Sequence, residues 1–147
     1  MNASHQRLID VLLEQYAENH RHPVNEWVHI VCVPAIMVSL LGLLWHMHPA
    51  AALALMAAAM IYYLRLSLSF AFGMAIVLAA MTYLLFIFPA QWLFPCSAAV
   101  FIVAWIGQFA GHKVEGKKPA FFDDLRFFLI GPLFVLRFLY RRLGLRH

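Results

Sequence analysis

The sequence predicts an all-α integral membrane protein: about four transmembrane helices, with an interfacial helix near each end. Three observations predict it. Of the 147 residues, 64% are hydrophobic and only 12% are charged, more apolar surface than a soluble domain of this size can bury. The charges are also segregated: no Asp, Glu, Lys or Arg occurs from Val28 to Leu64 or from Leu66 to Gly111, and Arg65 alone interrupts the stretch. Turn residues divide it into runs of roughly 15–20 residues, the length that crosses a hydrocarbon core about 30 Å thick.

Residues 5–20 read as an amphipathic helix on the membrane surface. Leu8, Leu12 and Tyr16 share a stripe with Val11 beside it, and Glu14 and Glu18 fall elsewhere. Pro23 suits a first helical position, with His22 just outside it. The first span is expected over Trp27–Trp45, with tryptophan at both ends as in an aromatic belt. His46-Met47-His48-Pro49 turns the chain into a second span, Ala50–Leu64, whose interfacial end carries Tyr62, Tyr63 and Arg65. The third span is expected over Phe70–Phe88. A hairpin of spans two and three that stops short of crossing is the alternative. Pro89-Ala90-Gln91-Trp92 leads into the fourth span, Leu93–Gly111. Asp123 and Asp124 then suit a helix start. The apolar run Phe127–Leu136 is too short to span. It reads as broken at Gly131-Pro132, and as an interfacial or re-entrant helix followed by Arg137, Arg141 and Arg142. No repeat or low-complexity linker divides the chain, so residues 1–147 are read as one domain.

Met1–Asn19 is polar and amphipathic, so no cleavable signal peptide is expected. Cys32 and Cys96 fall near opposite faces of the bilayer, and no disulfide is expected. The net charge of +4 does not point to nucleic acid. The basic residues sit beside apolar segments, where anionic lipid headgroups account for them. Ten of the eleven Lys and Arg residues lie in the two tails, and the eleventh, Arg65, falls on the same side. The positive-inside rule then puts both tails and the Arg65 loop in the cytoplasm.

This topology brings separated histidines to one face. His20, His22 and His29 precede or open the first span, while His112 and Glu115 follow the fourth. His46 and His48 lie on the far side, about 30 Å away. In a helix begun at Pro23, Asn25 and His29 share a face. Gln108, His112 and Glu115, at i, i+4 and i+7, share another. Imidazoles with a carboxylate suit iron or zinc, and a His-rich site with open positions suits Fe(II) and O2 chemistry. Asn25 and Gln108 are candidates for orienting an imidazole. An interfacial histidine that merely anchors the chain is the plainer reading, above all for His20 and His22 singly. His29 and His112 lie at the edges of apolar segments, where a polar group needs a partner. Lys113, Lys117 and Lys118 could hold a fatty-acid carboxylate, though lipid headgroups explain them more simply. Cys32, one turn from His29, reads as a small buried hydrophobe before it reads as a ligand.

Two motifs carry a resemblance. Tyr16-x-x-x-His20-x-His22-Pro23-x-Asn25-x-x-x-His29, followed by Val33-Pro34, resembles the opening of the Mpo1-like family. Gly107-Gln108-Phe109-x-Gly111-His112-Lys113-Val114-Glu115-Gly116-Lys117-Lys118-Pro119-Ala120 resembles its second signature. The order, the spacing and the intervening hydrophobic spans agree over nearly the whole chain. The resemblance implies a 2-hydroxy fatty acid dioxygenase that uses Fe(II) and O2 to remove one carbon from a long-chain substrate in fatty-acid α-oxidation. It implies His20, His29 and His112 as catalytic metal ligands, with His22 and Glu115 as further candidate ligands. The acyl chain would lie among the spans, with its 2-hydroxy-carboxylate head at the cytoplasmic edge. Short tails fit a bacterial inner-membrane location. Three other readings stand beside this one. They are a two-iron lipid hydroxylase, a haem protein ligated by His29 and His112, and a lipid-binding scaffold without enzymatic activity.

Overall fold

The computed structural model describes residues 7–116 and 127–145. The described residues are helical, with short connections. The helices are α1 (Leu8–Glu18), α2 (Pro23–Met47), α3 (Pro49–Leu66), α4 (Leu68–Ile87), α5 (Ala90–Val114) and α6 (Ile130–Arg142). Four of them, α2 to α5, are long and apolar enough to cross a membrane. Lys117, Lys118, Asp123 and Asp124 lie outside the described residues.

Each of the four long helices starts before the span read from hydropathy, and all but α4, which ends at Ile87, also run past it, because helix boundaries follow caps rather than apolar content. α2 starts at Pro23, four residues before Trp27. The His22 side chain accepts the Val24 N–H at 3.2 Å, and Pro23 needs no donor in the first turn. The pattern repeats at α3, where His48 accepts the Ala50 N–H at 3.2 Å ahead of Pro49. α5 runs on to Val114, three residues beyond Gly111.

α2 and α5 form the central pair, antiparallel and closely packed. Small residues set the approach. A Cβ on Gly107 would meet Cys32 Sγ at 2.8 Å, and one on Gly111 would meet Asn25 Oδ1 at 2.5 Å. At the other end Gly42 abuts Ser97, and the His46 and Phe94 rings lie 5.3 Å apart. His46 is 17 residues beyond His29 on one helix, about 25 Å at 1.5 Å per residue. His46 and His48 are therefore far from the other histidines.

Two sequence expectations are corrected. Gly131-Pro132 does not break the last apolar run. It lies in the first turn of α6, where proline costs no hydrogen bond. Ile130 through Leu136 are all buried, so this half of α6 is packed against its neighbours. Phe128 and Leu129 line one cavity with Leu40 and Leu41, Gly131 lies beside Val33, and the Phe138 ring is 5.5 Å from that of Trp27. α6 thus runs antiparallel to the first half of α2. Tyr140 donates to the Ser69 carbonyl at 2.8 Å and ties it to α4.

The second correction concerns α1. Its buried stripe is Ile9, Leu13 and Tyr16, while Leu8 is 63% exposed. The helix is rotated by about one residue from the Leu8-Leu12-Tyr16 stripe because it packs on α6. The Tyr16 ring lies 5.1 Å from Phe134 and 6.1 Å from Phe127.

Candidate metal centre

Three chain segments deliver three imidazoles to one place. His20 sits in the short connection between α1 and α2. His29 is in the second turn of α2, and His112 is near the end of α5. All three are buried, His29 completely. The ring centroids of His20 and His29 are 4.1 Å apart, those of His29 and His112 4.9 Å, and those of His20 and His112 5.4 Å. One ring nitrogen from each lies within 4.8 Å of the others, so the group could hold a metal ion.

Backbone geometry sets two of the tautomers. His20 Nδ1 lies 2.7 Å from the Tyr16 carbonyl oxygen, and His29 Nδ1 lies 2.9 Å from that of Asn25. A carbonyl oxygen only accepts, so each Nδ1 carries the proton and each Nε2 carries the lone pair. Neutral imidazoles oriented in this way by a backbone carbonyl are what a metal site requires. The donor set fits Fe(II) or zinc, and three protein nitrogens leave coordination positions open.

His22 and Glu115 are placed differently. His22 is exposed, and its ring caps α2. Glu115 holds the connection that carries His20. Its Oε1 accepts the Arg21 N–H at 3.1 Å, and its Oε2 accepts the His22 N–H at 2.8 Å and the Asn25 amide at 3.2 Å. Burial pushes this carboxyl up. The donors from His22, Asn25 and Arg21, with the nearby His20, outweigh that and hold it below its ordinary value. Among the described residues, the three-histidine group includes neither His22 nor Glu115.

Asn25 is fully buried. Its side-chain amide joins the Asn19 carbonyl at 3.4 Å to Glu115, while its backbone carbonyl orients His29. The orienting atom is thus the main chain, and the side chain braces the loop. Asn25 Oδ1 accepts no hydrogen bond among the described residues and faces the close approach of Gly111. Gln108 is buried one turn before His112 and lines a small cavity with Tyr16. Lys113 is exposed at the end of α5, and Lys117 lies outside the described residues. Cys32 is partly buried against Gly107.

The sequence placed Tyr16 on an apolar stripe and at the head of the first motif, but gave it no role at the site. Its ring stacks on His20 at 4.2 Å with 12° between the planes, and it meets His29 edge-on at 6.3 Å. The signal was the i, i+4 spacing of Tyr16 and His20, which also places the Tyr16 carbonyl under the His20 ring.

Fold and site together define a class: a helical protein with membrane-crossing helices, built around a histidine cluster able to hold a metal. Within that class, the chain belongs to the Mpo1-like family. The family described as 2-hydroxy-palmitic acid dioxygenase Mpo1-like matches residues 9–143. No match was found among curated proteins or among solved structures.

Proposed function

We propose that this protein is an Fe(II)-dependent dioxygenase that cleaves long-chain 2-hydroxy fatty acids to fatty acids one carbon shorter. The observation that carries the reading is the convergence of His20, His29 and His112, from three segments, into one buried group, with backbone carbonyls orienting the His20 and His29 rings. The family description supplies the reaction class. Both tails and the Arg65 loop are assigned to the cytoplasm from the placement of Lys and Arg. The membrane is then the source of the lipid substrate, and the site lies at its edge.

His20, His29 and His112 would hold the iron. Bound there, iron would supply redox chemistry toward O2 and a template for the 2-hydroxy-carboxylate head. The net reaction balances without an outside reductant: a 2-hydroxy acid and O2 give the shorter acid, carbon dioxide and water. The chain's own residues do the rest. The Tyr16 and Asn25 carbonyls keep the Nδ1 protons in place. Glu115 pins the Arg21-His22 backbone and so fixes where His20 sits. Tyr16 and Phe134 cover the His20 ring and exclude water from it.

The test loads detergent-purified protein with Fe(II) without oxygen, then adds O2 and a long-chain 2-hydroxy fatty acid. Mass spectrometry should find the acid one carbon shorter, and the His112→Ala variant should form none. Bound iron with no product would overturn the substrate assignment. Full activity in His29→Ala and His112→Ala would overturn the metal site.

A further inference from the structure

The four long helices carry an open apolar cleft on their outer surface. It lies on the α2–α5 face, encloses about 520 Å3 and is lined by Leu40, Phe101, Ile102, Trp105, Ile106 and Phe128, among others. That volume is within the range of ligand sites, roughly 300–1,000 Å3. Its lining is almost wholly apolar, and its rim residues Ile102 and Ile106 are 58% and 62% exposed. A second cavity, about 30 Å3, lies next to it and is bounded by Tyr16, Gln108 and Gly131. Trp105 and Phe128 line both, so these two side chains form the wall between them. Beyond the small cavity, the Tyr16 ring is stacked on His20, and Gln108 is one turn from His112.

We infer that this cleft takes the alkyl chain of one 2-hydroxy fatty acid directly from the membrane, through the wall made by Trp105 and Phe128, with the polar head directed past Tyr16 and Gln108 to the three histidines. The inference rests on the proposed reaction and specifies how its substrate is held. Three features select a single-chain amphiphile as occupant. The large cleft has an apolar lining. The small cavity is the more polar of the two and has room for little more than one water. The two meet at Trp105 and Phe128, and the small cavity is bounded on its other side by Tyr16, whose ring stacks on His20. From Gln108 to Phe101 is seven residues of helix, about 10 Å, so Phe101 and Ile102 line the end reached by the middle of a long chain. Those two positions therefore separate acids long enough to reach them from shorter ones. Trp105 and Phe128 must swing aside for the head to pass, a side-chain rearrangement rather than a movement of helices.

The experiment is photo-labelling of the full chain in lipid nanodiscs, with a 2-hydroxyhexadecanoic acid that carries a diazirine at mid-chain. Labelled residues are mapped by mass spectrometry, and product formation is followed in parallel. Label is expected on Phe101–Phe109, Leu40 or Phe128. Unlabelled 2-hydroxy acid should compete it away, while a phospholipid of the same chain length should not. Ile102→Trp, at a lipid-exposed position that tolerates bulk, should lower labelling by the long acid about tenfold and spare a short-chain analogue. Normal elution and helical content would show that the variant folds. Label mapping to another face, label that phospholipid displaces, or no label at all would overturn the cleft. Product formed while label maps elsewhere would overturn the cleft and leave the reaction standing. Competed label in the cleft without product would support the cleft and overturn the reaction.

Discussion

Glu115 Oε2 accepts the backbone N–H of His22 at 2.8 Å, closing a contact between residues 93 apart in sequence. With the Arg21 N–H and the Asn25 amide on the same carboxylate, it ties the end of α5 to the start of α2. His20 lies one residue before that clamp, so Glu115 acts on the three-histidine group through the backbone.

Glu115→Ala removes all three contacts. Iron affinity should fall about 10–100-fold, the usual cost of losing a partner just outside a metal's ligands. Glu115→Gln keeps one accepting oxygen and should fall between wild type and alanine. Iron titration followed by equilibrium dialysis measures both. Unchanged affinity in Glu115→Ala would show that the loop is held by other contacts.

Loss of a ligand should cost more than loss of the clamp. His20→Ala, His29→Ala and His112→Ala should each weaken iron binding by more than about 100-fold. Metal analysis of purified protein gives the ratio, expected near one iron per chain in the wild type. A ratio near two would favour a two-iron site instead.

His22→Ala separates capping from ligation. The cap it provides to the Val24 N–H is worth about 0.5–2 kcal/mol in helix stability. A modest drop in thermal midpoint with full iron content is expected. Lost iron with an unchanged midpoint would make His22 a ligand.

Gly111→Ala tests the helix pairing. A Cβ there would stand 2.5 Å from Asn25 Oδ1 and 3.1 Å from Val28 Cγ1. Overpacking of this kind costs about 1–3 kcal/mol. It should also loosen His112 against His29, so stability and iron affinity fall together. Thermal unfolding in detergent, with and without Fe(II), reads both.

Tyr16→Phe keeps the ring on His20 and, being a side-chain change, leaves the carbonyl that orients it. It should retain iron. Tyr16→Leu loses the stacking, worth about 0.5–1.5 kcal/mol, and should lower both iron affinity and stability. Equal behaviour of the two variants would show that the ring contact with His20 contributes nothing.

The sequence alone determined the four long helices, because uncharged apolar runs of membrane length have few other ways to fold. It also determined that His29 and His112 share a face, since an even number of crossings between them returns the chain to the side it left. Hydropathy stops at Trp27 and Gly111, and the start of α2 was legible instead from His22-Pro23, a helix-opening pair. Helices end where caps satisfy their backbone, here at His22-Pro23 and beyond His112. Composition and spacing could not rank His20 above His22; only the family resemblance put His20 first. Two histidines separated by one residue in a connecting segment have the same composition, and only the packed chain turns one into the cluster and the other onto a helix cap. The buried face of α1 and the burial of Ile130–Leu136 were decided in the same way. A local stripe says that a helix has an apolar side, but the partner that covers it, here α6, sets its rotation. Glu115 became a clamp rather than a member of the three-histidine group for the same reason. Its three donors come from Arg21, His22 and Asn25, more than 85 residues away in sequence and adjacent only once α2 and α5 pair through Gly107 and Gly111.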